Sequence, residues 1–249
     1  MKKGEISLFF KKAPFPAIMT IISFVLFTII YWLALGTVEP YYFKNLIFAV
    51  PFICFGITTF FTANGKLKIA VSSIITVILI IALLFLMSFS FTFLIFKTAT
   101  TVTTDIGKYK RVLKVTDYPN NSLTKHFPDK IPDNAKNIIF RYNPAFLQGG
   151  ENFELKFETD SYSIKNYINK FSKNAKWIGK SNDSKAEENG IFSGIFGNLG
   201  LGYGDLPEDY TIYLIDSKPY RPGDWNHGTL SLAAISKQKN EIIFYAEHW

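Results

Sequence analysis

The chain has 249 residues, 48% hydrophobic, 17% aromatic and 19% charged, with 27 Lys and Arg against 20 Asp and Glu for a formal net charge of +7. High hydrophobicity with few charges is the opposite of a disordered composition, and the single cysteine, Cys54, excludes a disulfide framework within the chain. Only three arginines (Arg111, Arg141, Arg221) beside abundant Lys, Asn, Ile, Phe and Tyr point to an AT-rich genome and hence to a bacterium.

Three stretches carry no Asp, Glu, Lys, Arg or His: Ala13 to Val38, Asn45 to Asn64 and Ile69 to Phe96. A hydrocarbon core of about 30 Å needs ~20 helical residues, so each stretch is long enough to span it. Helices are expected over about 14–37, 44–64 and 69–96. The third is rich in β-branched residues and Phe, which disfavour a helix in water. In lipid that preference is overridden, because every backbone N–H and C=O must be paired within the segment. Pro51 lacks a backbone donor, so a kink is expected near Ala49 to Phe52. The first stretch is too long for a signal-peptide core and no small-x-small cleavage pattern follows it, so it reads as an uncleaved anchor.

Lys2, Lys3, Lys11 and Lys12 precede the first helix, and Lys66 and Lys68 lie in the turn between the second and third. Only Lys44 lies in the loop on the other side, so the N-terminus is expected to be cytoplasmic and the chain multi-pass in the cell membrane. Three crossings then place the C-terminal part outside, with Tyr31, Trp32, Tyr41 and Tyr42 at the outer aromatic belt. Lys97, Lys108, Lys110, Arg111 and Lys114 oppose this orientation, but long domains translocate largely regardless of charge.

Residues 1–104 therefore read as a membrane domain and 105–249 as an extramembrane domain large enough for its own core. In the latter, Asn137 to Tyr142 and Phe153 to Phe157 read as strands. The second alternates Phe153, Leu155 and Phe157 with Glu154, Lys156 and Glu158. Gln148 to Asn152 form the turn between them. An amphipathic helix follows, capped by Asp160 or Ser161, with Ile164, Tyr167, Ile168 and Phe171 on one face. Ala175 to Lys180 is a further strand and Ser181 to Asn189 a polar loop. Tyr210 to Ile215, Thr229 to Ile235 and Glu241 to Trp249 are strands, the last two joined by a turn over Lys237 to Asn240. The fold class is three N-terminal transmembrane α-helices plus a C-terminal α+β domain, an antiparallel sheet with one main helix.

The Gly-rich segment Asn189 to Gly204 is not a phosphate loop, since it lacks both Gly-Lys-Ser/Thr and GxGxxG spacing. Its apolar residues either cover the sheet of their own domain or form a flap exposing Phe192, Phe196 and Tyr203 to a membrane interface or a partner. Asp224, Trp225, Asn226 and His227 form a compact group before a strand. A His beside an Asp could act as a general base and a Trp could stack a ligand. Pro222, Gly223, Asn226 and Gly228 equally suit a structural turn. The other histidines, His126 and His248, show no metal-ligand spacing with His227, no cofactor motif is present, and no GxSxG or intramembrane carboxylate stands out.

The segments His126 to Gly150 and Trp225 to Trp249 resemble pieces of uncharacterised membrane-anchored or lipoprotein-like proteins of low-GC bacteria. That resemblance implies no activity and carries over no functional residue.

The +7 divides unevenly. Residues 1–104 hold eight lysines against Glu5 and Glu39, a balance of +6, and residues 105–249 hold 19 basic against 18 acidic groups. A nearly neutral domain on a basic anchor argues against a nucleic-acid partner. The expected function is an extracytoplasmic binding or interaction domain of accessory, sensor or immunity type, with the bilayer and another envelope or membrane protein as partners. The alternative is an envelope hydrolase built on Asp224 and His227.

Overall fold

The computed structural model describes residues 11–147, 149–202, 204, 206–225 and 227–249. The chain divides between Thr98 and Ala99 into two compact units, each with its own packing.

Among its described residues the first unit holds three helical spans long and apolar enough to cross a membrane, Pro14–Leu35, Lys44–Ala63 and Ile69–Thr100. Helix α1 (Pro14–Leu35) begins with proline in its first turn, where the missing N–H would have no helical partner. A 3-10 turn, Lys44–Ala49, runs into α2 (Val50–Ala63) with Pro51 in the first α-helical turn. The irregularity expected at Pro51 is thus a change of helix type. The 3-10 segment ends where proline can be accommodated without losing an internal hydrogen bond. Helices α1 and α2 pack through small residues: Thr20 Oγ1 lies 3.1 Å from Thr59 Oγ1, and Gly56 lies close to Thr20. Such positions let backbones approach and supply an interhelical hydrogen bond. Gly65, at φ +71°, reverses the chain into α3 (Ile69–Thr100), which buries Ser72, Thr76, Leu83, Ser90 and Leu94 along one stripe.

The second unit is built on a six-stranded sheet, antiparallel throughout. Its strands are β1 (Lys136–Asn143), β2 (Glu151–Glu158), β3 (Trp177–Gly179), β4 (Tyr210–Lys218), β5 (Thr229–Ser236) and β6 (Glu241–His248), in spatial order β1-β2-β6-β5-β4-β3. At the β1 edge, Thr103 exchanges two backbone hydrogen bonds of 2.9 Å with Tyr142. Thr103 therefore covers part of a sheet edge that would otherwise offer unpaired groups.

One face of the sheet carries Phe140, Phe153, Leu155, Phe157, Ala233 and Phe244, all at most 2% exposed. Two helices pack there where one was expected. Helix α4 (Tyr109–Val115) contributes Tyr109, Val112 and Leu113, an i, i+3, i+4 stripe. Helix α5 (Ser161–Asn174) contributes Ile164 and Phe171. The cap is Asp160, whose carboxylate accepts from the Ser163 N–H (2.8 Å) and hydroxyl (2.7 Å), and these bonds hold its pKa down at about 2.

The opposite face carries Tyr210, Ile212, Leu214, Leu230, Leu232, Ala234, Ile243 and Tyr245. Ile191, Phe196 and Leu199 of the Gly-rich segment cover it, together with Leu206 just beyond. The expected polar loop 181–189 contains a further helix, α6 (Ser184–Glu188). Ala186, fully buried, anchors that helix on the core, while the Asp183 carboxylate accepts from the Lys180 N–H at 2.8 Å just ahead of it.

Candidate functional site

At one end of the sheet the β4–β5 connection, the start of the Gly-rich segment and the C-terminal Trp249 converge. Gly190 and Gly228 are required there. A Cβ on Gly190, at φ +82°, would stand 2.6 Å from the Trp225 indole, and one on Gly228 would stand 2.9 Å from it. The indole is therefore seated between two backbones that only glycine lets approach. Its ring meets Phe192 edge-on at 6.2 Å and Trp249 at 6.1 Å. Residues 192 and 225, which the sequence offered as parts of two separate features, form one aromatic cluster.

Beside it, Arg221 to Asp224 close a turn with Asp224 N–H donating to Arg221 C=O at 2.8 Å. Pro222 and Gly223, the latter at φ +79°, occupy its central positions. This order of Pro and left-handed Gly is that of a type II turn. Asp224 C=O accepts from the Tyr220 N–H at 2.9 Å, which ties the turn to the end of β4. His227 is exposed, its ring edge-on to Tyr220 at 5.7 Å, and the Arg221 guanidinium lies 5.2 Å from the same Tyr220 ring. Tyr220 is 57% exposed and Phe192 37%. The rim is thus an aromatic surface with a cation and a titratable imidazole at its edge, held on loops by a rigid sheet.

Phe196 stands elsewhere. It is 2% exposed and packs on Tyr245 at 5.6 Å, so its side chain belongs to the core and not to an exposed flap. The Gly-rich segment places its large apolar side chains on the sheet because burial of that face outweighs display to solvent. Tyr203 and Asn226 lie outside the described residues. Trp249 and Tyr220 were not singled out from sequence. For Trp249 a signal existed: it continues the period-two series Ile243, Tyr245, Glu247 on one face of β6.

A second polar grouping lies under the Gly-rich segment. Glu154 is fully buried, and its Oε1 accepts from Asn198 Nδ2 at 3.2 Å. Burial pushes its pKa up to about 7, against the opposing pull of Asn198 and Arg141. Tyr245 donates its hydroxyl to Glu247, whose carboxyl is also raised by burial, and Asn152 Nδ2 donates to Tyr245 Oη at 3.1 Å. Further along the same face, Tyr210 donates to Glu241, which also faces Lys156 at 3.5 Å. Among the described residues, no group of three or more His, Cys, Asp or Glu side chains is placed to hold a metal ion.

Comparison of the chain with protein-family models, with curated proteins and with solved structures gave no match in any of the three.

Proposed function

We propose that the protein is a bacterial cell-membrane protein whose three apolar helices cross the bilayer with the N-terminus in the cytoplasm. On this reading residues 105–249 form an extracytoplasmic interaction module of accessory, sensor or immunity type, and the Trp225 rim receives an envelope or membrane protein. The observation that carries the reading is the rim itself. Phe192, Tyr220, Trp225 and Trp249 gather on loops at one end of the sheet, and clustered aromatics next to Arg are the composition of binding hot spots.

Two measurements test it. The first reads orientation. Ser184, exposed on α6, is replaced by Cys in a background where Cys54 is Ala, and intact cells are treated with a membrane-impermeant maleimide. Labelling before lysis is expected, and labelling only after lysis reverses the orientation. The second reads the rim. Phe192→Ser with Tyr220→Ser is expected to lower the yield of a crosslinked partner in intact cells about tenfold, the effect of a modest hot spot. Both side chains are partly exposed, so the thermal midpoint should barely move. An unchanged yield would remove the rim from the interaction.

A further inference from the structure

One end of the helical unit is built around Tyr41. Asn45, 6% exposed, donates its side-chain amide to the Pro40 carbonyl, and its backbone N–H bonds Tyr41 C=O at 3.0 Å. This turn holds Tyr41 at φ +42°, a left-handed conformation that a non-glycine residue keeps only where its surroundings impose it. The Lys44 ammonium lies 4.9 Å from the centroid of the Tyr41 ring, and the Lys97 ammonium, from α3, lies 5.8 Å from it. The ring face attracts both cations. The two lysines are also direct neighbours of one another. Glu39 is the one acid in residues 36–44, so two lysines against it leave this end positive.

The depth of this end follows from helix geometry. From Lys68, just before α3, to Lys97 is 29 residues, roughly 43 Å at 1.5 Å per residue. A bilayer with its headgroups measures about 40–45 Å, so with Lys68 in one headgroup layer Lys97 stands in the other. Tyr41, Tyr42 and Trp32 at the same end suit that level.

A groove of about 410 Å³ is lined by Lys44 and Ile47 from the 3-10 turn, with Phe43 just before it, and by Phe89, Ser90, Phe93 and Leu94 from α3. Its volume falls within the range of ligand pockets. A cationic mouth at phosphate depth above an apolar groove between helices matches an amphiphile with an anionic head. Basic pockets between membrane helices hold acidic lipid headgroups for this reason. We propose that Lys44 and Lys97 hold the phosphate of an anionic glycerophospholipid, with one acyl chain lying in the groove between the 3-10 turn Lys44–Ala49 and α3. A zwitterionic lipid is disfavoured because its own ammonium meets the lysine pair.

The inference rests on the helices crossing a bilayer, which is tested separately by flotation of the full chain with phosphatidylcholine vesicles. Failure to float overturns the membrane reading. Flotation without lipid preference overturns this site alone. The preference is read by native mass spectrometry of the full chain in detergent, with phosphatidylglycerol and phosphatidylcholine of identical chains supplied together. One phosphatidylglycerol is expected to be retained in preference. Each lysine is expected to contribute about fivefold. Lys44→Gln with Lys97→Gln should abolish the preference, while Lys44→Arg with Lys97→Arg keeps it. Ser90→Phe should reduce retention with both lysines in place, whereas Lys66→Gln with Lys68→Gln at the opposite end should change nothing. Equal retention of the two lipids by the wild type overturns the proposal, as does an undiminished preference in the glutamine pair. Soluble glycerol phosphate is expected not to displace the lipid at equal concentration. If it does, the site takes free phosphate and the lipid assignment fails. Should the glutamine pair not fold, the arginine pair and Ser90→Phe decide, since loss of preference in the first or full retention in the second contradicts the proposal.

Discussion

Replacing Phe244 with alanine should lower the thermal midpoint of the C-terminal unit by about 10 °C or more. The residue is fully buried on β6, and its ring lies within 6.1 Å of those of His126, Phe127, Phe157, Tyr167 and Phe171. It joins the α5 face to the stacked pair Phe127 and Phe153, whose centroids are 4.2 Å apart. Truncation of a buried Phe to Ala costs about 3–5 kcal/mol, because the lost transfer free energy is joined by a cavity that the neighbours fill only partly. A unit of this size moves by roughly 3 °C per kcal/mol. Neighbours drawn from three separate segments have no common direction in which to relax, so the upper half of the range applies. Phe244→Leu, which refills much of the volume, should recover more than half of the loss. The measurement is near-UV circular dichroism of the full chain in detergent during heating. A midpoint within 3 °C or so of wild type would show that this cluster is not the centre of the core.

The same residues show how far the sequence was legible. Alternation of Phe153, Leu155 and Phe157 identified β2 and its inner face, because a strand alternates its side chains and apolar ones seek burial. It also implied that Glu154 and Lys156 faced water, and they do not: the exposures are 0% and 8%. The second face is buried because the Gly-rich segment lies across it. Glycines permit many paths, so nothing in their spacing states which one the segment takes. Helix α4 could have been found, since Tyr109, Val112 and Leu113 keep helical spacing. Its seven residues are too short to stand out from the loop around them. The rim was legible in its parts but not in its assembly. Pro222 and Gly223 announced a turn, and Trp225 and Phe192 could be singled out as large apolar residues near glycines. Their meeting depends on Gly190 and Gly228 clearing space for one indole, a tertiary fact. The apolar helices were the clearest feature, because a helix long and apolar enough to span a bilayer is written in composition and length rather than in contacts.

Glu154→Gln should change the pH dependence of stability in a way that separates two buried groups with opposite linkage. Glu154 titrates at about 7 in the fold instead of the ordinary 4.5 because it is desolvated beneath the Gly-rich segment. The unfolded chain gives up this proton near pH 4.5 and the fold retains it to about pH 7. Its stabilising contribution is therefore complete below pH 4.5 and is lost as pH rises through 7. A shift of this size corresponds to about 3 kcal/mol. Glu247, raised by the same cause, acts in the same direction. His126 acts oppositely. It is 4% exposed, its Nε2 lies 2.9 Å from Leu232 C=O, and burial lowers its pKa to about 4 from 6.5. The unfolded chain gains this proton near pH 6.5 while the fold refuses it until about pH 4, so stability falls as pH drops through that window, again by about 3 kcal/mol. Between pH 4.5 and 6.5 the two slopes offset each other, and the wild-type profile should be shallow there. Above 6.5 it should decline as Glu154 ionises facing Asn198, Arg141, Asn152 and Glu247. In Glu154→Gln the His126 slope stands with less opposition: stability should climb from pH 4.5 to 6.5, and the decline toward pH 8 should shrink. His126→Gln should show the mirror image, a steady fall from pH 4.5 to about 7. Urea midpoints of the full chain in detergent at four or more pH values read these slopes, and a constant offset from either substitution leaves them unaffected. Parallel profiles for wild type and Glu154→Gln would mean that Glu154 is ionised or solvated in the fold, and that the Gly-rich segment does not seal it from water.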